Sequence, residues 1–160
     1  MKLYHGSLEV VSNPRIITPN RTLDYGRGFY TTTSYEQAEQ WVRCRKGTQH
    51  SIGYVNVYEL ADILPDDIKQ LRFETPTEEW VDFVMRNRTE KGYEHSYDIV
   101  YGPVANDRVY AAFALYESNL LDKEGLIREL RAYELVDQFL FHTEQSLQHL
   151  TFIEAKEVTL

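Results

Sequence analysis

Several functions are excluded by what this chain lacks. Its 160 residues include one cysteine, Cys44, so no internal disulfide can form and no thiol cluster can hold a metal. His50, His95 and His149 are scattered without ligand spacing, and no structural or catalytic metal is expected. No stretch approaches the roughly 20 apolar residues of a membrane span. No basic start leads into an apolar run either, so the chain reads as having no leader and no membrane partner, and as cytoplasmic. Cations are scarce: 17 Lys and Arg face 25 Asp and Glu, a formal charge of -8. Sequence-independent binding to nucleic acid requires clustered cations, and the nearest grouping is the short Arg43-Cys44-Arg45-Lys46 run, so no nucleic-acid partner is expected. A strand–GxGxxG–helix unit is missing as well, because Gly26-Arg27-Gly28 precedes a strand, and this argues against a dinucleotide fold of the Rossmann kind.

What is present is a core-forming, aromatic-rich chain. Apolar residues make up 42%, with twelve tyrosines and seven phenylalanines, which favours strands with aromatic faces. The length suits one domain spanning residues 1–160. Strands are expected at Met1 to Gly6, Phe29 to Thr33, Ile52 to Leu60, Tyr97 to Tyr101, Val136 to His142 and Thr151 to Val158. Ser34 with Gln37 reads as a capping box opening a helix that carries Ala38, Trp41 and Val42. Pro76 is expected at the first position of a second helix, with Glu78 closing its capping box and Trp80, Phe83 and Val84 as its apolar stripe. Asn106 or Asp107 caps a third helix through Tyr116. Asp122 caps a fourth bearing Leu126, Ile127, Leu130 and Tyr133. Gly102-Pro103 is expected to end its strand, and Thr143 to Leu150 to form one or two helical turns. The irregular Ser12 to Thr22 stretch reads as a loop over a site. Strands and helices mix without a regular βαβ rhythm, which makes the fold class α+β.

Two short stretches carry the chemistry. Tyr4-His5-Gly6-Ser7 puts a ring donor beside a glycine whose bare backbone admits a planar ligand. Gly26-Arg27-Gly28-Phe29-Tyr30, followed by Trp41, puts aromatic faces where a glycine turn ends. Such a site suits a flat cationic heterocycle, held by stacking and cation–π attraction while backbone groups read its amide. The nicotinamide of NAD is a group of this kind.

These stretches resemble the motifs of diphtheria-toxin-like and poly(ADP-ribose)-polymerase-like ADP-ribosyltransferases, with Trp41 in place of the usual second tyrosine. Tyr97-Asp98-Ile99-Val100-Tyr101-Gly102-Pro103-Val104-Ala105-Asn106-Asp107 is similar to a hallmark of a bacterial domain family of unknown function. That family is thought to share the ADP-ribosyltransferase fold and is often encoded in toxin–antitoxin-like pairs. The resemblance covers nearly the whole chain. It implies a mixed β core of two packed sheets with flanking helices. It also implies NAD as substrate, an unidentified macromolecular acceptor and a small antitoxin protein as partner.

By the same resemblance, His5 would bond a ribose hydroxyl and the Gly6 backbone would pair with the nicotinamide amide. Ser7 and Gly28 would border the dinucleotide. Tyr30 would stack on the nicotinamide ring and Trp41 would close the other side. Where the transferases place a glutamate on a late strand, the aligned residue is Gln138. A neutral amide can accept the ribose hydroxyl but cannot stabilise developing positive charge or act as a base. Three readings stay open. Gln138 serves mono-ADP-ribosyl transfer; one of Glu134, Asp137, Glu144 or Asp98 replaces it; or the chain binds NAD or a protein without turnover. An NAD glycohydrolase, with water as acceptor, is a further alternative. His142 shares the strand face of Gln138 if alternation holds. Thr31, Thr32 and Thr33 resemble the hydroxyl-bearing strand of arginine-specific transferases and are read as strand propensity.

Overall fold

In chain order the elements are β1 (Lys2–Ser7), β2 (Phe29–Thr31), α1 (Tyr35–Arg43), β3 (Ile52–Leu60), β4 (Gln70–Arg72), α2 (Glu78–Thr89), β5 (Ile99–Pro103), α3 (Asp107–Glu117), α4 (Lys123–Arg131), β6 (Asp137–Phe141), α5 (Glu144–Leu147) and β7 (Leu150–Thr159). They come from a computed structural model that describes residues 1–17, 24–45, 50–103, 107–132 and 135–160. The mixture is α+β, with two sheets and five helices among the described residues. One sheet is antiparallel in the order β1-β3-β7, and the other runs β2-β6-β5-β4 with only β4 and β5 parallel.

Three apolar layers follow from strand alternation. Leu3, Tyr58 and Leu150 of the first sheet meet Phe29, Ile99, Phe139 and Phe141 of the second and form the core between the sheets. The opposite face of the second sheet offers Val100 and Leu140 to the stripes of α2 and α4, where Trp80, Phe83, Val84, Leu126 and Leu130 are buried. On the outer face of the first sheet, Val55 and Val158 pack against Ala38 and Val42 of α1. β3 is central in its sheet, so both of its faces are largely covered from Val55 to Tyr58.

Helix starts differ from expectation in instructive ways. Ser34 does cap α1 through the Gln37 N–H at 3.2 Å, but the Ser34 N–H donates to the Thr32 hydroxyl at 3.1 Å rather than to the Gln37 side chain. Thr77 caps α2 by accepting from the Trp80 N–H, which makes Glu78 the first helical residue and leaves Pro76 two places ahead of the helix. The hydroxyl at Thr77 outcompetes the proline as a start signal because it satisfies a free N–H. Asp122 caps α4 and Thr143 caps the single turn of α5. The caps expected at Asn106, and the side chains of Asp107 and Tyr133, lie outside the described residues. β5 continues through Gly102 and Pro103, paired with Gln138 and Asp137, instead of ending before them. Proline is tolerated there because β4 pairs only as far as Arg72 with Tyr101, so the strand's other side is already an edge.

The two sheets are tied together at one backbone bridge. Tyr4 and Thr32 exchange both N–H···O bonds at 2.9 Å, beyond which β1 and β2 have no ladder among the described residues. The segment after β1 crosses the edge of the inter-sheet core, held by Asn56 and Tyr58. The Val11 N–H donates to Asn56 Oδ1 at 2.8 Å, and the Tyr58 hydroxyl donates to the Val11 carbonyl at 2.6 Å.

A buried polar chain fixes the glycine turn before β2. The Trp80 indole N–H donates to the Tyr25 hydroxyl at 2.6 Å, which in turn donates to the Pro103 carbonyl at 2.5 Å. Tyr25→Phe should leave the Trp80 N–H and the Pro103 carbonyl unpaired in a dry site. It is expected to cost about 2 kcal/mol in urea denaturation, and a cost near zero would contradict the chain.

Candidate functional site

The site forms where β1 and β2 diverge. Backbone bonding along β1 alternates between its two edges. Met1 exchanges bonds with Leu60 across β3, and Tyr4 exchanges bonds with Thr32 on the other edge. By the same alternation the N–H and C=O of Gly6 turn to the Tyr4 edge, two residues past the bridge, where no bond to β2 meets them among the described residues. An amide-bearing ring entering the split would find both groups.

His5 sits beside that edge. Leu3 and His5 project into the inter-sheet core, and the His5 ring lies 4.6 Å, centroid to centroid, from that of Phe29. Its Nδ1 is 2.7 Å from the Tyr30 carbonyl oxygen, which only accepts, so Nδ1 carries the proton. Burial lowers the His5 pKa, Arg45 lowers it further, and the Tyr30 carbonyl opposes them. The ring is therefore neutral at pH 7, and Nε2, with no partner among the described residues, offers a lone pair. The donor expected of His5 is thus committed to Tyr30. What the side chain presents to a ligand is an acceptor, which a ribose hydroxyl can satisfy.

The other expected residues divide between two faces. Tyr30 is opposite Leu140 on β6, so its side chain lies on the helix-packed face of the second sheet, and its hydroxyl donates to the Gly26 carbonyl at 2.6 Å. Gln138, two residues from Leu140, shares that face and makes no side-chain hydrogen bond among the described residues. Asp137 takes the opposite face with Phe139 and Phe141. Trp41 is half-buried on α1, beside the buried Ala38 and Val42. Neither a ring contact nor a hydrogen bond joins it to Tyr30 or to another described residue. Ser7 closes a local turn by accepting from the Glu9 N–H at 3.2 Å.

Two glycines have packing reasons that ligand reasoning alone would miss. A Cβ on Gly6 would stand 2.3 Å from the Ala38 carbonyl oxygen, and one on Gly28 would stand 2.6 Å from the Phe141 carbonyl oxygen. Gly26 has φ +81°, which favours glycine outright.

Among the alternative acids, Asp98 accepts from the Lys69 N–H and the Thr143 hydroxyl, and Glu144 accepts from the Ile16 N–H. Both are committed to backbone or capping groups. Glu134 lies outside the described residues. Asp137 accepts from Thr32, Thr33 and Tyr101. His142, expected to face the cleft beside Gln138, instead holds the glycine turn: its Nδ1 donates to the Arg27 carbonyl at 2.7 Å. Its ring meets His95 edge-on at 4.3 Å, and its buried Nε2 has no hydrogen-bond partner among the described residues. His95 grips the same turn, 3.1 Å from the Tyr25 carbonyl, and accepts from the Tyr97 N–H. His95 and Tyr25 carry no sequence signal for this role, because neither lies in a motif and their partners are backbone groups 70 and 78 residues away.

A cavity of about 340 Å³ opens elsewhere, lined by Phe73, Glu74, Tyr101, Pro103, Arg131 and Asp137 among others. None of His5, Gly6, Tyr30 or Trp41 lines it. Among the described residues no group of three or more His, Cys, Asp and Glu could hold a metal ion, and no helix is long and apolar enough to cross a membrane.

A family model described as "Protein of unknown function (DUF3990)" matches residues 1–152, which include every residue placed at the split. No curated protein matches the chain.

Proposed function

Since the chain belongs to the DUF3990 family, which brings no activity with it, we propose from the site itself that the protein is an NAD-dependent mono-ADP-ribosyltransferase. It would release nicotinamide and modify an unidentified acceptor. One observation carries this reading: at the split, the backbone edge of Gly6, which has no partner among the described residues, lies beside a neutral histidine whose Nε2 likewise has none there and accepts. The edge matches a carboxamide, which needs one donor and one acceptor side by side. The histidine matches an adjacent sugar hydroxyl.

In this mechanism the Gly6 N–H donates to the carboxamide oxygen and the Gly6 carbonyl accepts from its nitrogen. Tyr30 and Trp41 present aromatic faces to the ring, and His5 Nε2 accepts from a hydroxyl of the nicotinamide ribose. Gln138, on the Tyr30 face, holds a second ribose oxygen by its amide. Bond breaking is dissociative, and most of the rate comes from fixing the leaving group and sugar in one geometry. Gln138 adds no charge to the transition state, so the mechanism suits transfer to an acceptor that brings its own nucleophile rather than chain elongation.

The test is nicotinamide release from NAD, followed by chromatography, with and without cell lysate. Release accompanied by labelled macromolecules supports transfer, and free ADP-ribose without labelling identifies a glycohydrolase. A second reading, NAD binding without turnover, is favoured by the neutral amide at Gln138 and would show as measurable affinity with no release above buffer. His5→Ala should weaken NAD binding about tenfold in calorimetry, the loss expected for one hydrogen bond in a closed site. Unchanged affinity in the folded variant would remove His5 from the site.

A further inference from the structure

We infer that Asp137 is a positioning residue that sets the width of the split, and so the fit of the nicotinamide end of the substrate. The inference rests on the proposed seat. Asp137 opens β6 at the point where the two sheets are joined. Its Oδ1 accepts from the Thr33 N–H at 2.8 Å and from the Thr32 hydroxyl at 3.0 Å. Its Oδ2 accepts from the Thr33 hydroxyl and, at 3.4 Å, from the Tyr101 hydroxyl. Four donors thus converge on one carboxylate, drawn from the end of β2 and from β5.

What these donors hold is the frame of the seat. Thr32 is fully buried, and its backbone makes the Tyr4 bridge that ties the sheets. Its hydroxyl, while donating to Asp137, also accepts the N–H of Ser34, the residue that caps α1. Tyr30 lies two residues before Thr32, Gly6 lies two residues after Tyr4, and Trp41 rides on α1. Floor and both walls therefore hang from the segment that Asp137 clamps to β6. Only a carboxylate fits all four donors: an amide there would accept on one side and present N–H groups to the other. Asp137 does not touch the reacting atoms in this account. It acts through Thr32 and Thr33.

The experiment uses two folded variants, Asp137→Asn and Asp137→Ala, and two readouts. Amide exchange by NMR reads the clamp without any ligand, and calorimetry compares NAD with ADP-ribose, which lacks the nicotinamide. The expected result is exchange at Tyr4 and Thr32 accelerated at least about tenfold, with Val55 and Val57 of β3 unchanged, since only the bridge loses its support. NAD affinity should fall about tenfold while ADP-ribose affinity changes less than about twofold, with Asp137→Asn between wild type and Asp137→Ala. A purely structural role would weaken both ligands equally, and that result overturns positioning. Unchanged exchange at Tyr4 and Thr32 overturns the clamp. A wild-type protein that binds neither ligand, yet shows the exchange change in the variants, overturns the proposed function and the positioning role together while leaving the clamp as a feature of the fold.

Discussion

Gly6→Ala should destabilise the protein by about 3 kcal/mol or more, a large share of the stability of a typical domain, because the new methyl meets backbone and not a movable side chain. The Cβ would lie 2.3 Å from the Ala38 carbonyl oxygen and 3.0 Å from Val42 Cγ2. Ala38 belongs to the middle of α1, so relief requires the whole helix to lift from the sheet, uncovering Val42, Val55 and Val158. Ser7→Ala, one residue on, removes only a hydroxyl that accepts from Glu9 at the surface and should cost less than about 0.5 kcal/mol. Urea denaturation of the pair measures this difference. Equal stability of Gly6→Ala and wild type would mean that α1 does not rest on β1 as described. The glycine thus has a reason to be there before any ligand arrives.

Acid should weaken the fold through the imidazoles that grip the glycine turn. Burial, reinforced by the neighbouring His95, lowers the His142 pKa from 6.5 to about 4, while the Arg27 carbonyl and Asp98 oppose the shift. His142 is therefore neutral in the folded protein where the unfolded chain binds a proton. The unfolded state takes up more protons between pH 6.5 and about 4, so stability is full above that window and falls as pH drops through it. The loss from this residue is about 3 kcal/mol at its limit. His95 and His5 are lowered in the same direction, by burial first, and add to it. Protonated His142 would also place an N–H at Nε2, which has no acceptor among the described residues. Urea midpoints at pH 7.5 and 4.5 should show a steep loss in the wild type and a shallower one in His142→Asn. Parallel pH dependences would remove His142 from this role.

The secondary structure was largely legible because it rests on local signals. Alternation marked Ile52 to Leu60 to the residue, and the hydroxyl and carboxyl caps at Ser34 and Asp122 begin their helices as expected. β4 was not, since three residues with one apolar side chain carry no period and Gln70–Arg72 is a strand only because β5 lies beside it. The site divides along the same line. His5-Gly6 and Gly26 to Tyr30 announce a close backbone approach and a turn, which the chain contains. Their faces could not be read in advance, because whether Tyr30 and His5 project to the same side depends on where two sheets part, and that is settled by a single bridge at Tyr4 and Thr32. The hydrogen-bonding state of His5 likewise depends on the carbonyl of a residue 25 positions away. Asp137 stood beside Gln138 in the sequence as one of several acids, and its four donors appear only when β2, β5 and β6 are assembled.

Titrating nicotinamide into ¹⁵N-labelled protein and following the backbone amides would reveal the proposed nicotinamide seat at the parting of β1 and β2. The Gly6 amide should move most, downfield as it gains an acceptor, with Tyr30 and the Trp41 indole N–H moving alongside and the His5 ring remaining neutral. Shifts gathered instead at Phe73, Tyr101 and Arg131, around the separate cavity, with Gly6 unmoved, would contradict it.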